Sequence, residues 1–599
     1  RDDLLGYFAF PKQMLESGGI ISDPFSGFRL ANGLGGQAAL HVLMLALSDF
    51  RNFHLLDGGV ALLICAGLVY RIGCEQRLAS PWKWVLLLMF LSIPYYPELR
   101  INSSSFTTGM VMFLALFSQI GRNETSEASP LRNAFITGLI AAGACALKTT
   151  YVPPMVLILG LSYCWYLFGA QMKKNALTEA LAVPAVTVLL LVPWMISLRE
   201  SSGTLLYPLL GTGIDEQNYG NYLPEKFSGG LTLVDKTAII FQQFLFRDVA
   251  LLLIAAGMLM FLMSKGDRRA AGQAFALGSV SAALLMLFNV DLSAHVVFRR
   301  YLYVSLFASL ITSLAVIMGE MSQRIQIRRP FALRTYYVAA ASDRKLLVAL
   351  IALLCICGMF FVPFRFAAEA YAFYGGLIEQ LPGQMQVRGE TIESSLLERY
   401  AKAQHSVPPG ETILSRDMAT MFYQYGRNPV YTITDPGQCS PPPGMPYFQG
   451  PEAVAAYLRS HNIRYVAYAY ASQASYPVLD YLQRHGPDWP YMRRVLARAK
   501  VALDRVLGEL GATRARVYDD GQLFILDLDT PAAAPGHYSE PNYFQAGRIL
   551  VLAWAKTQRP SVDFPGREER DRLTNQRAEG RARRREKIPG RIDVASSIR

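Results

Sequence analysis

Apolar residues along this chain gather into blocks with short polar breaks between them. Most blocks run about 15–20 residues, the length at which a helix crosses a hydrocarbon core. Read as helices, they predict spans at 56–72, 83–97, 105–120, 133–147, 154–169, 178–198, 247–264, 270–289, 300–319 and 345–363. Residues 36–50 are also apolar but too short to cross, and Asp49, Arg51, His54 and Asp57 crowd their end. That pattern predicts a helix lying along the membrane surface.

After residue 363 the pattern changes. Glu452 to Ser460 reads as a short helix, Ile463 to Tyr468 as a strand, and Gln522 to Asp527 as a last strand, which suits an α/β domain. Pro436 to Pro446, rich in proline, reads as a loop. From about 556 onward the sequence is basic and of low complexity, including Arg581 and Arg583 to Arg585, and predicts a disordered tail. The expected division is therefore 1–55, an outer-face loop with interfacial helices; 56–363, a multi-span domain; 364–535, an α/β domain; and 556–599, a basic tail. The fold class is mainly α: a polytopic transmembrane helical bundle with a C-terminal extracytoplasmic α/β domain.

Composition agrees with the pattern. The chain is 52% hydrophobic and 17% charged, with mean hydropathy +0.22, which excludes an ordinary soluble protein. Much of the net charge of +12 sits in the tail and in one set of loops, so it does not point to nucleic acid. That set carries Arg71, Arg77 and Lys83; Arg122 and Arg132; Lys173 and Lys174; Lys265, Arg268 and Arg269; and the run from Arg324 to Lys345. The alternate loops are sparse in Lys and Arg, which makes the basic set cytoplasmic. Residues 1–55, the loops near 98–104, 148–153, 199–246 and 290–300, and everything after 363 then lie outside. A chain that starts outside without a Met implies a first membrane helix upstream of Arg1, with a removed signal peptide as the alternative. The seven cysteines show no disulfide framework, and Cys355 and Cys357, inside a span, read as packing.

The same parity collects charged residues on the outer face: Asp2, Asp3, Asp23, Glu98, Asp215, Glu216 and Asp291, against Lys12, Arg29, Arg100, Lys148, Arg199, Arg299 and Arg300, with His295 beside them. Cations at span mouths on the face that should be poor in them ask for a reason, and a phosphate or pyrophosphate headgroup supplies one. For any one of them, snorkelling to lipid phosphates is the plainer reading. Carboxylates facing such cations suit group transfer from a phosphate leaving group, a carboxylate taking the proton of an acceptor hydroxyl. The plainer readings are a solvated pair for Asp2 and Asp3, and a surface pair of Glu98 with Arg100. No Gly-rich phosphate loop implies a soluble nucleotide donor.

The order of local motifs resembles the GT-C superfamily of membrane glycosyltransferases. The motifs are Asp2-Asp3 with Tyr7, Leu34-Gly35-Gly36-Gln37, Ala146-Leu147-Lys148-Thr149-Thr150, Pro193-Trp194, Gly203 to Pro208, and Arg300-Tyr301. The resemblance covers roughly residues 1–365 and the placement of the trailing domain. It implies a polyprenyl-phosphate sugar donor, a glycan, lipid or protein acceptor, and a bacterial inner membrane with the active site and trailing domain on the periplasmic side. It implies Asp2 as general base, Asp3 as orienter or metal contact, and Lys148, Arg299, Arg300 and Tyr301 on the donor phosphate. Glu98 stands where relatives often carry a further acidic residue, in unclear register. A divalent cation, Mg or Mn, is left open, since some relatives use one and others none. A transporter or flippase for lipid-linked sugars is the main alternative, and it predicts polar or charged residues in mid-span and a pseudo-repeat between halves.

Overall fold

The computed structural model describes residues 8–19, 23–26, 35–48, 53, 55–91, 105–125, 129–168, 176–202, 205–206, 270–289, 295–327, 396–417, 420–433, 440–441, 443–469 and 491–533. The chain divides into a unit Arg1–Ser539 and a unit Glu540–Arg599. The second unit lies outside the described residues, as do the expected spans 247–264 and 345–363.

Eight of the expected spans fall on helices, 83–97 over its described residues 83–91. Two short helices precede them, α1 (Ala9–Ser17) and α2 (Gly36–Leu47). A π-helical turn, Leu56–Ala61, leads into α3 (Leu62–Glu75), followed by α4 (Ser80–Leu91), α5 (Phe106–Thr125) and α6 (Pro130–Leu147). A 3-10 turn, Thr149–Tyr151, opens α7 (Val152–Phe168); then come α8 (Ala176–Ser202), α9 (Ala270–Asn289) and α10 (His295–Ile327). By length and composition, Leu56–Glu75, Pro130–Leu147, Thr149–Phe168 and Ala176–Arg199 are able to cross a membrane. Leu63, Leu139, Leu189 and Phe168 stay exposed on these helices, as an outer surface in contact with lipid tails requires. This is the chain of an integral membrane protein.

Contacts at the helix ends fall into two levels. At one, Asp57 meets Thr107 and Thr108, Tyr151 Oη donates to Ser105 O at 2.9 Å, and Gly36 lies against Ala146. At the other, Ser118 Oγ donates to Glu75 Oε2 at 3.2 Å, Asn133 Nδ2 to Glu179 Oε1 at 3.3 Å and Tyr166 Oη to Ile120 O at 3.1 Å, while Gly319 closes on Gln76 O. Helices α3 and α5 thus run the same way, and α5 to α8 run alternately up and down. Close approach in the middle of the bundle comes from small residues: a Cβ on Gly278 would sit 2.7 Å from the Ile158 backbone, and Ser309 Oγ donates to Ser279 Oγ at 2.7 Å.

The α/β part is a five-stranded sheet in the order β2-β1-β3-β5-β4, built from β1 (Ile413–Arg416), β2 (Val430–Thr432), β3 (Tyr465–Ala469), β4 (Arg514–Asp519) and β5 (Leu523–Pro531). β1 pairs in parallel with β2 and β3, and β5 is antiparallel to β3 and β4. Strand alternation divides its side chains between two cores. Leu414, Val466, Tyr468, Phe524 and Leu526 point to the face covered by α11 (Pro451–Ser460) and α12 (Tyr491–Thr513). Ile413, Tyr465, Ala467, Leu523 and Ile525 point to the other face, which takes in Ala9 of α1. The sheet is buried on both sides, and a residue from the opposite end of the chain supplies part of the cover.

Candidate active site

The level that holds Asp57 is built from three glycine and helix-end contacts. Gly35 has φ +92 and starts α2 in the left-handed region, and a Cβ there would run into the Trp194 ring. A Cβ on Gly36 would stand 2.8 Å from the carbonyl carbon of Ala146. The paired glycines therefore let α2 press its start against the ends of both α6 and α8. Beyond Ala146 the helix stops, because Lys148 is extended, with φ −160 and ψ 132. Lys148 is buried, with 4% of its surface exposed, between α6 and the 3-10 turn. On the next turn Tyr151 crosses to Ser105 and covers Gly109, where a Cβ would meet its ring at 2.5 Å.

Asp57 sits opposite, in the π-helical turn. Its Oδ2 accepts Thr107 N–H at 2.9 Å, and its Oδ1 accepts Thr108 N–H and Thr108 Oγ1 at 2.7 Å each. It satisfies the free amides that open α5, a cap supplied from a neighbouring helix. Asp57 stands in the first turn of this π-helix, Leu56–Ala61.

Of the residues the sequence singled out, Gly35, Gly36, Ala146, Lys148 and Trp194 are brought together at this level. Arg299, Arg300 and Tyr301 lie in the first two turns of α10. Gly319 of α10 belongs to the far level, and a rise of 1.5 Å per residue puts the Arg300 backbone roughly 28 Å along the helix from it. Asp2, Asp3 and Glu98 lie outside the described residues. Among the described residues no group of three His, Cys, Asp or Glu side chains is placed to hold a metal ion.

Two residues of the expected outer constellation are engaged elsewhere. Lys12 Nζ donates to Met421 O at 2.9 Å, and Asp23 accepts Phe25 N–H at 3.0 Å and Thr432 N–H at 2.8 Å. Both ends of the first loop are therefore tied, one to the sheet and one to the bundle. An aromatic chain continues the tie, with Phe8 edge-on to Phe53 at 5.4 Å and Phe53 stacked on His41 of α2 at 4.6 Å. Sequence reading missed Asp57 as a cap, although its place at the mouth of a span, with Thr107 and Thr108 at the mouth of another, was a usable signal. It also missed Glu179, buried at the start of α8.

No protein-family model and no curated protein matches the chain. Among solved structures it is similar to ArnT from Cupriavidus metallidurans, at 12% identity and TM-score 0.41, over 88% of this chain and 94% of that one. It is similar to the Archaeoglobus fulgidus oligosaccharyltransferase at 11% identity and TM-score 0.41, over 90% of this chain and 71% of that one. It is also similar to the mycobacterial arabinofuranosyltransferase AftD at 12% identity and TM-score 0.40, over 88% of this chain and 42% of that one. At these scores the likeness assigns neither family nor activity, and the functional reading rests on the residues.

Proposed function

We propose that the chain is a membrane glycosyltransferase of the GT-C kind that moves a sugar from a polyprenyl-phosphate-linked donor to an acceptor hydroxyl, with inversion, on the outer face of a bacterial inner membrane. The observation that carries this reading is the convergence of Gly35-Gly36, Trp194 and the Ala146–Lys148 helix break at one level, with Lys148 buried there. Lys148 stands at the end of α6, a helix mouth where its ammonium would serve a donor phosphate. In the reaction the acceptor oxygen bonds to the anomeric carbon as its proton passes to Asp2. The bond from that carbon to the phosphate oxygen breaks, its electron pair leaves with the carrier phosphate, and Lys148, Arg299, Arg300 and Tyr301 meet the charge. Asp3 orients the acceptor or Asp2, and Glu98 is the further acidic candidate.

A flippase of the same headgroup predicts polar or charged groups in mid-span, and the Ser279–Ser309 pair in the middle of the bundle is uncharged. Asp57 and Glu179 are the buried carboxylates among the described spans, and both stand at helix ends with hydrogen bonds of a structural kind.

The test is transfer of labelled sugar from a polyprenyl-phosphate donor by the full chain. Asp2→Asn is expected to slow transfer by about 10²–10⁴-fold, the contribution of a positioned base. Lys148→Ala is expected to weaken donor binding. Undiminished transfer by both Asp2→Asn and Asp3→Asn overturns the base assignment, and donor binding without transfer by the wild type favours the flippase.

A further inference from the structure

The first loop does more than touch the sheet domain: it completes it. Strand β2 is an edge strand, and edges left open are hazards that proteins cover. Pro429 O and the Ile433 N–H turn towards β1, so the backbone groups of Val430 and Thr432 face outward, Val430 O and the Thr432 N–H among them. Gln13 Nε2 donates to the first at 3.3 Å, and Asp23 Oδ2 accepts from the second at 2.8 Å. The two side chains take two of the contacts that a sixth strand would make. Beside them Glu16 Oε2 accepts Tyr425 N–H at 2.6 Å and Gly426 N–H at 3.3 Å. Phe25, with no exposed surface, inserts into the sheet's own core among Tyr431, Tyr457 and His461. Burial, with the nearby Asp23 carboxylate adding to it, holds the Tyr431 phenol above its ordinary range.

At its other end the same loop is fixed by Gly35 and Gly36 on Trp194 and Ala146. The loop is thus pinned twice, and Asp2 and Asp3 stand a few residues ahead of the first pin. We infer that the sheet domain serves as the holder of the first loop, with Asp23, Phe25 and Glu16 as positioning residues for the acidic pair. The inference rests on the proposed function, and it gives the trailing domain a part in the reaction that needs no contact with donor or acceptor.

The test is a double-mutant cycle on the full chain in detergent or nanodiscs, measuring kcat and donor KM. Phe25→Ala and, as a milder change that keeps the core filled, Asp23→Asn are each combined with Asp2→Asn. Alone, each is expected to lower kcat by about tenfold with donor KM unchanged, and in the Asp2→Asn background to lower it no further, because residues acting through one group are not additive. A change that only reduced the folded fraction would multiply through both backgrounds. Multiplicative losses, or single variants with unchanged kcat, overturn the inference alone. A wild type that does not transfer sugar overturns the functional reading, and this inference with it.

Discussion

Gly36 has so little room that a single methyl decides whether α2 can seat. A Cβ there stands 2.8 Å from the carbonyl carbon and 2.9 Å from the Cβ of Ala146, and the backbone partner cannot give way. Gly36→Ala is expected to cost about 1–3 kcal/mol as overpacking. Thermal unfolding in detergent should show the loss, whereas Gly58→Ala, where nothing lies within 4 Å of the added carbon, should show much less. Asp57 is decided by the opposite problem, a missing acceptor. In Asp57→Ala the Thr107 and Thr108 amides lose their partner, at about 1–3 kcal/mol for each buried group left unmade. Asp57→Asn keeps one acceptor oxygen and should retain part of the stability. If the two variants unfold at the same temperature as the wild type, the cap is not what holds the start of α5.

At the scale of elements, the charge pair between β3 and β5 gives the sheet its pH response. Arg464, just ahead of β3, donates to Asp527 of β5 through Nε at 2.9 Å and a terminal nitrogen at 2.7 Å. Chiefly through this hydrogen-bonded pair, the Asp527 carboxyl is pushed down from 3.8 to about 2. A carboxyl lowered by folding stabilises the native state fully above its unfolded value, and that stability is lost as pH falls through the folded one. The sheet is therefore expected to weaken between about pH 4 and pH 2. Arg464→Met should remove most of that dependence on acid, measured as amide exchange of β3 and β5 in the full chain. Arg464 itself is 40% exposed in its side chain, so solvent screening keeps the effect modest.

The same scale shows what the sequence could disclose. Helices α3 and α5 to α10 match apolar blocks because lipid forces a long uninterrupted run, and that run is visible without knowledge of any partner. Helix α12 carried a readable stripe in Leu503, Val506, Leu507 and Leu510, all buried, but its charged outer face masked it. Strands β1 and β2 are four and three residues long and are buried by elements distant in sequence, so no local alternation announces them. Helix α1 is legible only with the sheet in place, since Lys12, Gln13 and Glu16 look like solvated residues until β2 and the 421–426 segment are set against them. Of the candidate site, the phosphate-side motifs were readable as separate fragments. Their meeting depends on glycines whose significance is the space they leave, which a sequence does not display.

Across the whole molecule, the bundle and the sheet share one connecting piece. Asp23 and Thr432, like Glu16 and Tyr425, are 409 positions apart. Contacts of such separation close late, because the chain between them must be ordered first. The first loop is synthesised before any of the described spans, and its partner strand emerges after all of them. During that interval Phe25 and the inner side of α1 have no core to enter. A ribosome that stalls inside the bundle leaves behind a chain with an unclaimed aromatic anchor on that loop. Shielding of Phe25 by Tyr431, Tyr457 and His461 therefore reports that synthesis has run past the last of these three.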